Sequence, residues 1–316
     1  MMKVLIADKA DSICEKILKE KGLEPVNKPG MKPEELKACI GDYEAIIVRS
    51  ATTLTADLVN AAAKLKAVAR AGSGVDNIDV PACTAKRVVV MNTPFGNTVS
   101  TAEHAVAMMM ALARHIPQAN ASTHAGKWEK KKFEGVELTG KTLGVIGCGN
   151  IGAVVADRAL GLKMKVLAFD PALTPERAKQ LGVQTASLDE LYAKSDFITY
   201  HVVMLPATKG MLNKAAIAKM KKGVRIINCA RGGVMIEADI KEALQSGQIA
   251  GLACDVYVKE PATEHIFFGM ENVVATPHIA ASTKDAQVTV ARQAAEQIAD
   301  YLLAGKKTNA VNGKDL

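Results

Sequence analysis

The stretch Thr142-Leu143-Gly144-Val145-Ile146-Gly147-Cys148-Gly149-Asn150-Ile151-Gly152 decides the fold class. A short apolar run reads as a buried strand, and the G-x-G-x-x-G at its end opens a helical pattern. Each glycine has its own physical task in a nucleotide-binding turn. Gly147 permits the tight turn, Gly149 lets the backbone approach a pyrophosphate, and Gly152 lets helix and strand pack closely. The helix N-terminus then faces negative charge. The next strand ends in Phe169-Asp170-Pro171, which sets a carboxylate where it accepts both adenosine ribose hydroxyls. Strand, helix and acid together point to a dinucleotide site, and Asp170 points to NAD over NADP, whose extra phosphate it repels. A glycine-rich turn needed only for packing is the competing reading.

Outward from this turn, short apolar runs alternate with helix-patterned stretches along the whole chain, the signature of parallel sheets built from βαβ units. On the C-terminal side, strands are expected at Lys165–Phe169, Asp196–Tyr200, Val224–Asn228, Gly251–Cys254 and Val273–Ala275, completing a six-stranded doubly wound sheet. On the N-terminal side, Val4–Ala7, Ala45–Val48, Ala67–Ala69 and Val88–Met91 form a smaller open sheet. One long helix from about Val99 to Ala125 is expected to connect the two. A last helix, from after Thr283 to about Leu303, is free to pack back on the first unit. The expected architecture is therefore α/β, with two Rossmann-like or flavodoxin-like open parallel-sheet domains and a cleft between them. Residues 1–98 and 284–316 make the substrate-binding domain, and residues 99–283 the NAD-binding domain.

Length and composition agree with two compact units: 316 residues, 49% hydrophobic and 23% charged, exclude a disordered, collagenous or coiled-coil chain. Aromatics are only 4%, so apolar volume comes from aliphatic residues and 13 Met, which suits buried strands under helices. The longest strongly apolar run, Ala105 to Ala113, is far short of the ~20 residues a bilayer span requires, so no membrane partner is expected. Asp8 and Asp11 stand where a signal peptide needs an apolar stretch. Cys14, Cys39, Cys83, Cys148, Cys229 and Cys254 are scattered through mostly apolar segments without a C-x-x-C pair, and read as reduced, in the cytoplasm. The 40 basic against 33 acidic side chains give a net charge of +7. One basic cluster stands out, Lys127-Trp128-Glu129-Lys130-Lys131-Lys132-Phe133. Such interleaving suits single-stranded nucleic acid, but a single segment is weak, and no nucleic-acid partner is expected. His104 and His115 flank an apolar helical stretch and read as capping or core residues. No His/Cys/Asp grouping has metal-ligand spacing, so no metal is expected.

Redox chemistry beside a nicotinamide requires a proton carrier and a cation to hold an oxyanion or carboxylate. Arg231 follows the strand-like Ile226-Ile227-Asn228-Cys229-Ala230 and precedes Gly232-Gly233, and its planar fork suits a carboxylate. His278 follows Val273-Val274-Ala275-Thr276-Pro277, again at a strand end, and its ring transfers protons near neutral pH. If the carboxylate of Glu260, before Pro261, meets the far ring nitrogen of His278, it fixes the tautomer and stabilises the imidazolium. Taken singly, these residues also read as a core or capping histidine, a surface arginine and a turn acid.

The Gly147–Gly152 fingerprint with Asp170, Asn228-Cys229-Ala230-Arg231-Gly232-Gly233, Glu260-Pro261 and Pro277-His278-Ile279-Ala280-Ala281-Ser282-Thr283 together resemble the D-isomer-specific 2-hydroxyacid dehydrogenases. Val48-Arg49-Ser50-Ala51-Thr52, Arg70-Ala71-Gly72-Ser73-Gly74-Val75-Asp76-Asn77 and Met91-Asn92-Thr93-Pro94-Phe95-Gly96-Asn97 are similar too, so the likeness covers nearly the whole chain. The resemblance implies an NAD-dependent oxidoreductase interconverting a D-2-hydroxyacid and its 2-oxoacid. Phosphorylated 3-phosphoglycerate and 3-phosphohydroxypyruvate, on the route to L-serine, come first; hydroxypyruvate, glyoxylate or another 2-hydroxyacid are alternatives. It implies that Arg231 binds substrate carboxylate and carbonyl, that His278 is the proton donor or acceptor, and that Glu260 tunes His278. Substrate contacts fall to Arg49, Ser50, Ser73, Gly74, Asn97, Arg231, His278 and Lys130, the last on a basic arm that in the family's dimers reaches the other subunit's substrate. Cofactor contacts fall to Ser73, Gly147, Gly149, Asn150, Ile151, Gly152, Asp170, Val202, Cys229, Ala230, Arg231, Asp255, His278 and Ala281. A homodimer or homotetramer is implied. The corepressors that share these residues leave a non-enzymatic alternative, an NAD(H)-sensing interaction protein.

The chain departs from the family pattern at three places. His201-Val202-Val203-Met204-Leu205-Pro206 lacks the small polar residue of the family's His-x-Pro-Leu-Thr run. Met235-Ile236-Glu237 lacks a helix N-cap, worth about 1 kcal/mol. Ala280 stands for a glycine, with its methyl expected near cofactor or substrate. The chain ends at Leu316, about where the family's catalytic core ends, so a C-terminal regulatory domain and feedback inhibition through it are not expected.

Overall fold

The computed structural model describes residues 1–316 as two compact units, Met1–Asn97 with Ser282–Leu316 and Thr98–Ala281. The expected breaks after residues 98 and 283 lie one and two residues further along.

The smaller unit is built on five parallel strands, β1 (Lys3–Ile6), β2 (Glu24–Asn27), β3 (Ala45–Val48), β4 (Ala67–Arg70) and β5 (Val89–Asn92), in the order β2-β1-β3-β4-β5. β3 is buried throughout, as an unbroken apolar run in a parallel sheet must be. β2, absent from the expected strands, is Glu-Pro-Val-Asn at the sheet edge, where a half-exposed, weakly apolar segment suffices. The helix Lys284–Ala304 covers one face of this sheet. Thr283 caps its start, the hydroxyl accepting the Ala286 N–H at 3.2 Å, and Gly305 ends it in the left-handed conformation. Its Val290, Ala294 and Ile298 share a core with Val4, Ile6, Ile47 and Ala69. The last helix thus belongs to the unit that the first residues form.

The larger unit holds seven parallel strands: β6 (Thr142–Ile146), β7 (Lys165–Phe169), β8 (Gln184–Thr185), β9 (Phe197–Tyr200), β10 (Val224–Asn228), β11 (Ile249–Cys254) and β12 (Val273–Ala275). Their order is β12-β11-β10-β9-β6-β7-β8. Six strands were expected; β8 is a two-residue polar edge strand that no apolar run announces. The strand order reverses between β6 and β9, and in an open α/β sheet a ligand crevice lies beyond the carboxyl ends at such a point. In the smaller sheet the same reversal falls between β1 and β3.

The expected single helix over 99–125 is two helices, Thr98–Arg114 and Ile116–His124. His115 between them has φ 53°, outside helical space, and Pro117 in the next first turn has no N–H to continue the ladder. No helix is long and apolar enough to cross a membrane.

Candidate active site

β6 ends at Ile146, and Gly147 follows with φ 86°, a conformation that favours glycine. A Cβ on Gly147 would lie 2.7 Å from the carbonyl oxygen of His201, just after β9, and one on Gly152 would run into the Gly147 carbonyl oxygen. A Cβ on Gly149 would meet nothing within 4 Å. Two of the glycines are therefore closed in by protein, and the third faces open space. The helix Asn150–Gly161 starts there without a side-chain cap, so its first N–H groups are left for an anion. Asp170, at the end of β7, accepts the Cys148 N–H through Oδ2 and the Ala172 N–H through Oδ1, both at 2.8 Å. It is fixed beside the glycine turn with acceptor capacity left for ribose hydroxyls. These residues fit a dinucleotide, with N–H groups for its pyrophosphate and a carboxylate for its ribose.

Beyond β10, the buried Asn228 shapes the turn that carries Cys229, Ala230 and Arg231. Its Oδ1 accepts the Ala230 N–H and its Nδ2 donates to the Arg231 carbonyl, both at 3.0 Å. The Arg231 Nη1 donates to the Ala230 carbonyl at 2.7 Å. A Cβ on Gly232 would run into the backbone of Tyr257, so this turn packs directly on the segment leading to Glu260.

Glu260 and His278 come from the segments after β11 and β12. The Nδ1 of His278 lies 2.6 Å from Glu260 Oε2, and Glu260 Oε1 accepts the Tyr257 N–H at 2.9 Å. His278 sits at φ 53°, a conformation unusual for a side-chain-bearing residue, and its loop is over-determined by hydrogen bonds. Asp255, fully buried, accepts the Ile279 N–H at 2.8 Å, the Ala280 N–H at 2.9 Å and the Thr276 hydroxyl at 2.6 Å. The Ser100 hydroxyl donates to the Ala280 carbonyl at 2.7 Å. Burial pushes the Asp255 carboxyl up, but hydrogen bonds from His104, Thr276 and the two amides outweigh it and hold it below the usual carboxylate range.

His104 Nε2 is 3.2 Å from the Thr276 hydroxyl and 3.4 Å from Asp255 Oδ1, so this histidine belongs to the scaffold behind His278. Sequence spacing gave no sign of this, because the contact spans more than 150 residues. Ala280 corrects an expectation. It is buried in the core with Met108 and Val274, so its methyl packs inside the unit instead of beside a ligand. Ile236, at the start of the helix Glu237–Ser246, provides no side-chain cap, as its sequence implies. Val202 packs across the glycine turn, its Cγ1 3.0 Å from where a Gly147 Cβ would be.

The glycine turn, Asp170, Arg231, Asp255, Glu260 and His278 all follow the carboxyl ends of strands of the larger sheet. In the smaller unit, Arg49 and Ser50 follow β3, Ser73 and Gly74 follow β4, and the Ser73 hydroxyl donates to Asn97 Oδ1 at 2.5 Å. Lys130 opens an exposed 3-10 turn, Lys130–Phe133, ahead of the larger sheet, where Lys132 pairs with Glu271 at 2.9 Å.

Residues 106–280 match the family described as D-isomer specific 2-hydroxyacid dehydrogenase, NAD binding domain. The chain belongs to that family. A D-3-phosphoglycerate dehydrogenase of Rattus norvegicus is 49% identical over 316 residues, 100% of this chain and 59% of that protein. The chain thus spans about 59% of the length of the curated relatives it matches. Among solved structures, the NAD+-bound 3-phosphoglycerate dehydrogenase of Entamoeba histolytica is similar with a TM-score of 0.85 and 30% identity, covering 98% of both chains. A glyoxylate reductase from Paecilomyes thermophila is similar with a TM-score of 0.90 and 27% identity, covering 99% of both. The matched domain of this family binds NAD.

Proposed function

We propose that this chain interconverts 3-phosphoglycerate and 3-phosphohydroxypyruvate with NAD. The observation that carries a dehydrogenase reading is the Glu260–His278 pair, 2.6 Å apart. With Nδ1 engaged by the carboxylate, Nε2 is the nitrogen left to exchange a proton with substrate. The choice of a phosphorylated substrate is supported by full-chain identity of 49% to a D-3-phosphoglycerate dehydrogenase.

When bound, NAD supplies the hydride acceptor, and NADH the donor. The chain's residues do the rest. The first-turn N–H groups of Asn150–Gly161 hold the pyrophosphate, and Asp170 holds the ribose, with Ser73, Val202, Cys229, Ala230, Asp255 and Ala281 as further cofactor contacts. Arg231 clamps the substrate carboxylate and polarises the 2-oxo group. As the C2 oxygen gains electron density, His278 Nε2 gives it a proton, and Glu260 fixes the ring and its tautomer; oxidation reverses these transfers. Arg49, Ser50, Ser73, Gly74 and Asn97 are further substrate contacts. Lys130 acts across subunits of a homodimer or homotetramer, and the six free cysteines suit a reducing cytoplasm.

The test is NADH oxidation with 3-phosphohydroxypyruvate, hydroxypyruvate, glyoxylate and 2-oxoglutarate offered side by side. A kcat/KM highest for the phosphorylated compound is expected. Preference for glyoxylate or hydroxypyruvate would retain the mechanism and replace the substrate; no turnover on any of them would favour a nucleotide-dependent binding protein.

A further inference from the structure

The reversal of strand order in the smaller sheet lies between β1 and β3, and the loops leaving those two strands carry Asp8 and Arg49. Asp8 is 4% exposed. Its carboxylate accepts the Arg49 N–H at 2.5 Å, the Thr52 N–H at 3.2 Å and the Thr52 hydroxyl at 2.6 Å. From the other side, Asn77 Nδ2 donates to the Arg49 carbonyl at 2.7 Å and to the Thr52 carbonyl at 2.6 Å. Two side chains therefore bind both backbone polar groups of Arg49 and both of Thr52. Between these fixed ends Ser50 is exposed. The Arg49 side chain is held by a hydrogen bond from Nη1 to the Lys9 carbonyl at 2.9 Å, which leaves other N–H donors of its fork for an anion.

We infer that Asp8 and Asn77 are positioning residues that hold Arg49 and Ser50 in the shape that receives the anionic end of the substrate. The inference rests on the substrate reading above. The chemistry of the two side chains matches the task. Asp8 faces three donors with a group that only accepts, and Asn77 faces two carbonyls with an amide that donates. A carboxylate placed behind an anion-receiving loop repels the anion, so Asp8 favours binding only through the loop's shape.

That opposition of sign makes the test decisive. Asp8→Leu and Asn77→Leu keep side-chain size and branching while removing every group that accepts from or donates to the loop. Both variants are expected to raise KM for 3-phosphohydroxypyruvate about tenfold or more, with kcat within about threefold and NADH affinity unchanged. Electrostatics alone would lower KM in Asp8→Leu, because a negative charge is removed, so an unchanged or lowered KM in that variant overturns the inference. If the unaltered protein does not turn over this substrate, the functional reading fails by itself, and amide hydrogen exchange then judges the clamp. Faster exchange at Arg49 and Thr52 in Asp8→Leu, with β1 and β3 unchanged, supports it; equal rates in variant and parent overturn it.

Discussion

His278 Nδ1 and Glu260 Oε2 are 2.6 Å apart, joined across eighteen residues by two segments that leave neighbouring parallel strands. The carboxylate is itself fixed by the Tyr257 N–H, and the histidine by a loop tied to the buried Asp255. The ring therefore has one orientation and one nitrogen left for proton exchange.

His278→Gln is expected to lower kcat by about two to four orders of magnitude while NADH still binds, since only the proton transfer is lost. Glu260→Gln should lower kcat by a smaller factor, because the ring stays but its tautomer is no longer fixed. Steady-state kinetics together with NADH fluorescence titration check both. Near-parental turnover in His278→Gln would remove this residue from the mechanism.

Gly149 and Gly152 should respond in opposite ways to the same methyl group. Gly152→Ala forces a Cβ into the Gly147 carbonyl oxygen and should cost about 1–3 kcal/mol of stability. Gly149→Ala places its Cβ in open space, so Tm should hold while NAD affinity falls, because that space is where the pyrophosphate approaches. Thermal melts and cofactor titrations separate the two. Equal loss of stability in both would contradict the packing described.

Asp170→Ala should weaken NAD binding and relax discrimination against NADP, as the repelling carboxylate is removed. The turn would also lose the acceptor for the Cys148 and Ala172 N–H groups. The ratio of kcat/KM for NADH over NADPH is the measurement, and an unchanged ratio would reassign cofactor choice to other residues.

Burial lowers the His201 imidazole to about 4, beside the Thr199 hydroxyl 2.8 Å from Nε2. Unfolding restores an ordinary histidine pKa of roughly 6.5, so below that pH the unfolded chain takes up a proton that the folded chain refuses. Stability from this source is therefore complete above about pH 6.5 and falls as the pH drops toward 4, by about 3 kcal/mol in all. Urea titrations between pH 7 and 4.5 should show this decline, and His201→Gln should flatten it. A slope that the substitution leaves unchanged would assign the decline to other groups.

Much of the fold was legible because its causes are local. Runs such as Ala45–Val48 and Val89–Met91 are apolar throughout, which only a strand buried on both faces requires, and the glycine turn carries its own conformational demands. Thr283 and Gly305 mark both ends of the last helix by capping chemistry alone. What escaped had weak or competing local signals. β2 and β8 lie at sheet edges with little apolar content, and the helix break rests on the left-handed backbone of His115, a conformation that its residue type does not announce.

The sequence by itself determined the two α/β sheets and the glycine turn with the acid after the next strand, because periodicity and turn chemistry act between near neighbours in the chain; it offered Arg231, Glu260 and His278 as candidates through their place at strand ends and the family resemblance. Only the tertiary structure decided that Glu260 meets His278, that Asp255 and His104 stand behind the His278 loop, that Ala280 faces the core, and that Asp8 and Asn77 grip the loop of Arg49. Those contacts join residues from 18 to more than 150 positions apart. Their geometry depends on strand order and register, which arise from burial of the whole sheet and not from any one segment.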